Sequence, residues 1–340
     1  MNTENGRIPS PVPTTAPYPV RILVVGTGAV GGYYGAQLAK AGAMVATTHR
    51  SDFAVVREHG IHIEGIQGSY HFQPAQVLQQ VADFDGFPDY ILVALKVLGE
   101  IATAEIIRPV VGPETTIVLL QNGVETEAGV ANAFPNNELL SGLAFVCLSR
   151  TAPGHISHTC YGHLTIGRFP NGPSSSAQRL AQLFEKAGTA CPVTDNIGLE
   201  RWKKLVWNAA FNPLSVLGNA TTQEILSHPA SAQLVQEVMT EVCRVAAAAG
   251  YSLPDHIVQK NLEATKRMKP YKTSMLVDYL SGRSMEVEAI LGNIIRAARR
   301  HCVDVPHLET LYAALSLLTR HTTASSPTTG LSEATAAAHQ

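Results

Sequence analysis

Charge is scarce in this 340-residue sequence. Asp, Glu, Lys and Arg make up 15% of it, and 25 basic residues against 27 acidic ones leave a net charge of −2. A chain so balanced offers no basic face to a polyanion, so nucleic acid and anionic membrane surfaces are excluded as partners. No apolar run approaches the roughly 20 residues that a membrane-spanning helix takes. No Cys-x-x-Cys pair occurs either. The five cysteines (Cys147, Cys160, Cys191, Cys243 and Cys302) are scattered and odd in number, which predicts free thiols in a reducing compartment. Residues 1–19 have neither the basic start nor the apolar stretch of a secretory leader, so the expected location is the cytoplasm.

What is present is apolar material in two distinct patterns, 45% of the chain in all. The first 19 residues, with five prolines, and residues 321–340, rich in Ser, Thr and Ala, are expected to be disordered tails. From Val20 the short run RILVV ends in glycines, as a buried parallel strand does. A helical stretch follows over residues 31–40, and further strands fit residues 44–49, 90–95 and 116–120. Residues 139–166 alternate apolar and polar positions, like antiparallel strands added to the sheet. After Asp195 the spacing turns helical, over 198–216, 232–250, 254–268, 285–302 and 307–320. The expected fold is therefore an α/β Rossmann-type N-terminal domain (20–195) followed by an all-α C-terminal domain (196–320), with a cleft between them.

The first strand runs straight into Gly26-Thr27-Gly28-Ala29-Val30-Gly31, a G-x-G-x-x-G turn leading into a helix. Gly26 suits the tight turn, Gly28 lets backbone approach a pyrophosphate, and Gly31 lets helix and strand pack closely. The helix start would then face the phosphates with unpaired N–H groups. A glycine turn of purely structural use is the alternative. At the end of the second strand, where NAD sites carry an acid for the ribose 2′-hydroxyl, this chain has Thr47-Thr48-His49-Arg50-Ser51, with no carboxylate before Asp52. The Arg50 fork can pair with a 2′-phosphate, which favours NADPH, although a solvated loop arginine would look the same.

In the helical half, Lys204, Asn208 and Asn212 recur at four-residue intervals and so share one helix face, with Pro213 expected to break the helix just beyond. By residue type alone, Lys203, Lys204 and Asn208 also fit a solvated face. Glu286 fits a surface pair with Arg283, and Ser274 fits an N-cap before Met275. His155, His158, Cys160 and His163 imitate a metal site. Their spacing on adjoining strands and turns sends them to opposite faces, so no metal is expected.

Six motifs in order add to this reading: the glycine loop, Val93-Ala94-Leu95-Lys96, Gln121-Asn122-Gly123, Trp202-Lys203-Lys204-Leu205-Val206-Trp207-Asn208, Phe211-Asn212-Pro213-Leu214, and Ser274-Met275 with Glu286 twelve residues on. Together, over about residues 20–320, they resemble the ketopantoate reductase family (2-dehydropantoate 2-reductases). The resemblance implies NADPH-dependent reduction of ketopantoate to pantoate, a step of pantothenate biosynthesis, by a Rossmann domain and a helical domain. It implies Lys204 as general acid with Glu286 holding it, and Asn208, Asn212 and Ser274 on the substrate. It also implies Lys96 and Asn122 beside the glycine loop at the cofactor. The pattern departs at Gly99, where family members often carry a polar side chain such as Gln.

Three other readings stay open. One is a relative acting on another branched or aromatic 2-oxo acid with NADPH or NADH. Another is a non-catalytic NADPH-binding sensor, which would not need the Lys204 proton donor. The third, a β-hydroxyacid dehydrogenase, also joins a Rossmann domain to a helical one, but its catalytic lysine sits in a different motif, so the Trp202–Asn208 segment argues against it. The expected partner is a small-molecule 2-oxo acid, and a homodimer is compatible with every reading.

Overall fold

The computed structural model describes residues 19–66, 68–98 and 102–324, so most of both tails and Gly99 lie outside the described residues. The strands are β1 (Arg21–Val25), β2 (Met44–Thr48), β3 (Ile61–Gly65), β4 (Gly68–Phe72), β5 (Gln76–Leu78), β6 (Tyr90–Val93), β7 (Thr116–Leu119), β8 (Leu139–Ala152), β9 (His155–Arg168) and β10 (Val193–Thr194). Between them run the helices α1 (Ala29–Lys40), α2 (Phe53–His59), α3 (Thr103–Ile107), α4 (Ala128–Ala133) and α5 (Ser175–Lys186). The remaining helices form the C-terminal part: α6 (Ile197–Gly218), α7 (Thr222–Ser227), α8 (Pro229–Ala248), α9 (Ile257–Arg267), α10 (Ser274–Leu280), α11 (Asn293–Arg300) and α12 (Pro306–Ala324).

One sheet runs in the order β4-β3-β9-β8-β7-β6-β1-β2-β5, with β10 beside β9. Its centre, β8 through β7, β6 and β1 to β2 and β5, is parallel, and β8–β9 and β3–β4 are antiparallel. The continuous apolar runs follow from burial on both faces. In β1, Ile22 and Val24 join one core with Val45, Leu92 and Val118, under Tyr34 and Leu38 of α1 and Phe184 of α5. Leu23 and Val25 join the opposite core with Ile91, Val93, Ile117 and Leu119, under Ile107 and Val130. Each fully buried side chain of this size contributes roughly 1.5–3 kcal/mol. The fold is Rossmann-like in its N-terminal part and helical in its C-terminal part.

Two expectations are corrected. Cys147 and Cys160 are not free thiols. The β8–β9 hairpin places them opposite one another, with Cα atoms 5.0 Å apart, and they form a disulfide. Their 13-residue separation hid a cross-strand contact, and a reducing compartment now has only Cys191, Cys243 and Cys302 behind it. Pro213, for its part, does not end α6, which continues to Gly218 and stops at left-handed Asn219. It costs the helix one backbone donor, but the turns on either side are pinned by buried Phe211 and Val216.

The two parts are joined by a buried ion pair. Arg201 on α6 and Glu127 at the start of α4 are each 2% exposed and in direct contact. Arg201 Nε donates to Ser141 Oγ at 2.7 Å, and that hydroxyl donates to Glu127 Oε1 at 2.8 Å. Arg201 Nη1 donates to the carbonyls of Gln121 and Gly123, both at 2.8 Å. Arg201→Met should therefore lower the unfolding free energy by about 3–5 kcal/mol, because it strands a buried carboxylate. Adding Glu127→Leu should recover part of that loss in urea titrations; an additive double variant would mean the two residues are not coupled.

Candidate active site

The glycine loop closes on itself as its sequence requires. Gly26 has φ +89°, and Gly28 N donates to Gly26 O at 2.8 Å. A Cβ on Gly31 would strike Gly26 O, so only glycine lets helix and strand pack this closely at that point. A Cβ on Gly28 would meet nothing within 4 Å. The α1 start carries no side-chain cap and no acidic residue in its first turn, and Thr27 Oγ1 is buried without a protein hydrogen-bond partner. An open backbone approach, an uncapped helix start and an unpartnered hydroxyl suit a pyrophosphate.

This loop forms one wall of a cleft of about 1180 Å³. The cleft brings together Gly26, Thr27, Gly28, Ala29, Val30, Arg50, Lys96, Asn122, Ser274 and Glu286, ten residues singled out from sequence. Gly31 lies behind it in the helix–strand contact. Arg50 is exposed at the end of β2, where Gly26 N donates to Thr48 Oγ1 at 3.2 Å. Lys96 reaches across the cleft: Nζ is 2.8 Å from Asp278 Oδ2 of α10 and donates to Ser284 O at 3.0 Å. Ser274 is not the cap of α10, since Thr273 fills that role by accepting from Leu276 N, and Ser274 is left exposed to the cleft.

Lys204, Asn208 and Asn212 come from α6, which starts at the Asn196 cap and presents them one turn apart. Lys204 Nζ donates to Asn122 Oδ1 at 3.0 Å and to Ala144 O at 2.7 Å, and it sits 5.2 Å from the Phe145 ring centroid. Asn122 Nδ2 donates to Glu286 Oε2 at 2.9 Å, and Val97 N donates to Glu286 Oε1 at 3.1 Å. Glu286 thus reaches the lysine through Asn122 and not directly. The carboxylate can only accept and the ammonium can only donate, which fixes the Asn122 amide with its oxygen toward Lys204. Burial, reinforced by Arg201, pushes the Lys204 ammonium down to about 8, against a smaller upward pull from Glu286. Asn208 and Asn212 are buried, the Asn212 amide without a protein partner, and, like Lys204, neither is among the residues that line the cleft.

The His and Cys cluster separates. His158 Nε2 bonds Tyr161 O, Cys160 is in the disulfide, His163 stacks on Phe145, and His155 faces His62. Among the described residues no three His, Cys, Asp or Glu are grouped to hold a metal, and no helix is long and apolar enough to cross a membrane. Sequence reading missed Arg201, Glu127, Asp278 and the Ala144 carbonyl. Only the position of Arg201, one turn before Lys204, hinted at a role.

Two family models match the chain, Ketopantoate reductase PanE/ApbA over residues 22–171 and its C-terminal model over residues 196–319. The chain belongs to the ketopantoate reductase family. That family consists of NAD(P)-dependent oxidoreductases with a Rossmann fold. Among its relatives is a 2-dehydropantoate 2-reductase of Nostoc sp., 36% identical over 303 residues, covering 88% of this chain and 95% of the relative. The crystal structure of 2-dehydropantoate 2-reductase from Methylococcus capsulatus is 48% identical with a TM-score of 0.84, covering 91% of this chain and 99% of that one. A D-mandelate dehydrogenase solved with NADH and anilino(oxo)acetate shares the fold at 19% identity and a TM-score of 0.80, covering 89% of this chain and 99% of that one.

The open space at Gly28 gives a direct test of the dinucleotide site. Gly28→Val should abolish the fluorescence enhancement of a bound reduced dinucleotide and leave far-UV circular dichroism near that of the parent. Retained enhancement would move the pyrophosphate away from this loop.

Proposed function

We propose that the chain reduces 2-dehydropantoate to pantoate with NADPH, using Lys204 as the general acid. The observation that carries this reading is the Lys204–Asn122–Glu286 relay, set beside the glycine-loop cleft in a chain similar to named 2-dehydropantoate 2-reductases.

A reduced nicotinamide dinucleotide held at the glycine loop would supply the hydride that the carbonyl carbon of the 2-oxo acid takes up. Lys204 steadies the negative charge growing on the carbonyl oxygen and passes a proton to it, which completes the 2-hydroxy acid. A pKa of about 8 suits that step, because the ammonium is mostly protonated at neutral pH yet releases its proton more readily than a solvent-exposed lysine. Glu286 orients the Asn122 amide and thereby the ammonium. Ser274, exposed to the cleft, can donate to the substrate carboxylate. Arg50 would hold the 2′-phosphate, and Lys96, on the cleft wall, would face the cofactor.

Initial rates with a panel of branched and aromatic 2-oxo acids, each with NADPH and NADH, test the reading by the loss of nicotinamide absorbance. Ketopantoate with NADPH should give the highest kcat/KM, and Arg50→Ala should raise the KM for NADPH far more than that for NADH. A higher kcat/KM with an aromatic 2-oxo acid would assign the chain another substrate.

Lys204 supplies a second test. Because its ammonium is the acid, kcat should fall as pH rises through about 8. Lys204→Ala should lower kcat by about 10²- to 10⁴-fold and remove that limb, with dinucleotide affinity kept. Near-normal turnover in this variant would place the proton donor elsewhere.

A further inference from the structure

The end of β2 carries a feature that Arg50 does not account for. Asp52 is the first carboxylate after the strand and is 4% exposed at the N-cap position of α2, yet its side chain caps nothing. An acid at this place in a Rossmann site ordinarily accepts the ribose 2′-hydroxyl of NAD. Here the carboxylate is already held. Arg150 Nη1 donates to Asp52 Oδ1 at 3.0 Å and to Oδ2 at 2.9 Å, and Ser51 Oγ donates to Oδ1 at 2.8 Å.

Arg150 arrives from β8, 98 residues away in sequence. The β8–β9 hairpin extends past the sheet centre until β9 pairs with β3, which delivers the end of β8 to the start of α2. There Arg150 lines the cleft with Gly28, Arg50, Ser51 and Gln80. Its side chain is 39% exposed, and among the described residues its Nε and Nη2 have no hydrogen-bond partner. Burial pushes His49 down to about 4, so it adds no positive charge near neutral pH. This end of the cleft therefore holds Arg50, Arg150 and Asp52, a net charge of +1.

We propose that Arg150 is a cofactor-selecting residue. By pairing with Asp52 it cancels the carboxylate that would serve NADH and turns that end of the cleft toward a 2′-phosphorylated dinucleotide. The inference rests on the reading of the cleft as an NADPH site. Without Arg150 the local charge falls to zero and a bare carboxylate faces a phosphate carrying about −1.5 to −2. NADH is spared that repulsion, because its 2′-hydroxyl can donate to Asp52. The two dinucleotides should therefore respond in different directions, whereas loss of a merely structural ion pair would weaken both alike.

The experiment is titration of NADPH and NADH, by nicotinamide fluorescence, into the full chain and into Arg150→Met, Arg150→Lys, Asp52→Asn and the Arg150→Met/Asp52→Asn double variant. Arg150→Met should raise the Kd for NADPH by about tenfold or more, the loss expected for one charge-assisted contact. It should leave the Kd for NADH unchanged or lower it. Arg150→Lys should keep most of the preference, and Asp52→Asn in the Arg150→Met background should restore part of the NADPH affinity. Should Arg150→Met not fold, Asp52→Asn alone decides: the ratio of NADH to NADPH Kd rises if the pair selects, and an unchanged ratio overturns the proposal. Equal weakening of both dinucleotides by Arg150→Met also overturns it. A parent protein with no preference for NADPH would overturn the cofactor reading and this inference together; a parent that prefers NADPH with an indifferent Arg150→Met overturns this inference alone.

Discussion

The contact on which the site depends is the buried pair of Arg201 and Glu127. Neither charge has access to water, so each needs the other, and the helical part can dock on the sheet only where they meet. The same guanidinium accepts no freedom in the strand-end loop. It binds the carbonyls of Gln121 and Gly123, the residues on either side of Asn122, and so fixes the backbone that carries the amide facing Lys204. Arg201 also lies one turn before Lys204 on α6. One side chain therefore sets both ends of the lysine–amide contact.

From that anchor the rest of the cleft follows. Gly123 has φ +94°, and a Cβ there would run into the Ala289 backbone, so only glycine lets the loop approach the π-helical stretch Glu288–Gly292. That approach brings Glu286, just ahead of the stretch, within reach of Asn122 and Val97. On the far side, Lys96 joins Asp278 and Ser284 and ties the end of the β6 strand to α10. These contacts hold the helical part along the edge of the sheet where parallel strands end, the place at which open α/β sheets bind ligands.

How much of this was legible in the sequence depends on the range of the interaction. The glycine loop, β1, β2, β6 and β7 were readable because a strand buried on both faces and a turn that needs positive φ leave local marks. The Lys204–Asn208–Asn212 stripe was readable because helix periodicity is local too. What escaped depends on pairing across the chain. The Cys147–Cys160 contact is a matter of hairpin register with bulges on both sides of Cys147, and no spacing rule predicts it. Arg201 went unread because its partners lie 60 to 80 residues away. α5, amphipathic and capped by Ser174, went unread beside the stronger pattern that follows it. Pro213 misled in the opposite direction, since tertiary packing carried the helix through a residue that ends most helices.

The arrangement of charge around Lys204 supports the proposal that it is the proton donor. Lys96 is in contact with the Asp278 carboxylate, and Arg201 with that of Glu127. Lys204 is bonded to two neutral oxygens, those of Asn122 and Ala144. Glu286 acts on it across the Asn122 amide, while burial and the Arg201 charge push the other way. Placing an amide between acid and base keeps the orientation that Glu286 imposes without the full stabilisation a direct ion pair would give. Direct contact would raise the lysine back toward its ordinary value and make it a poorer proton donor. On the proposed mechanism, Asn122 is therefore an insulator as well as a link between Glu286 and Lys204.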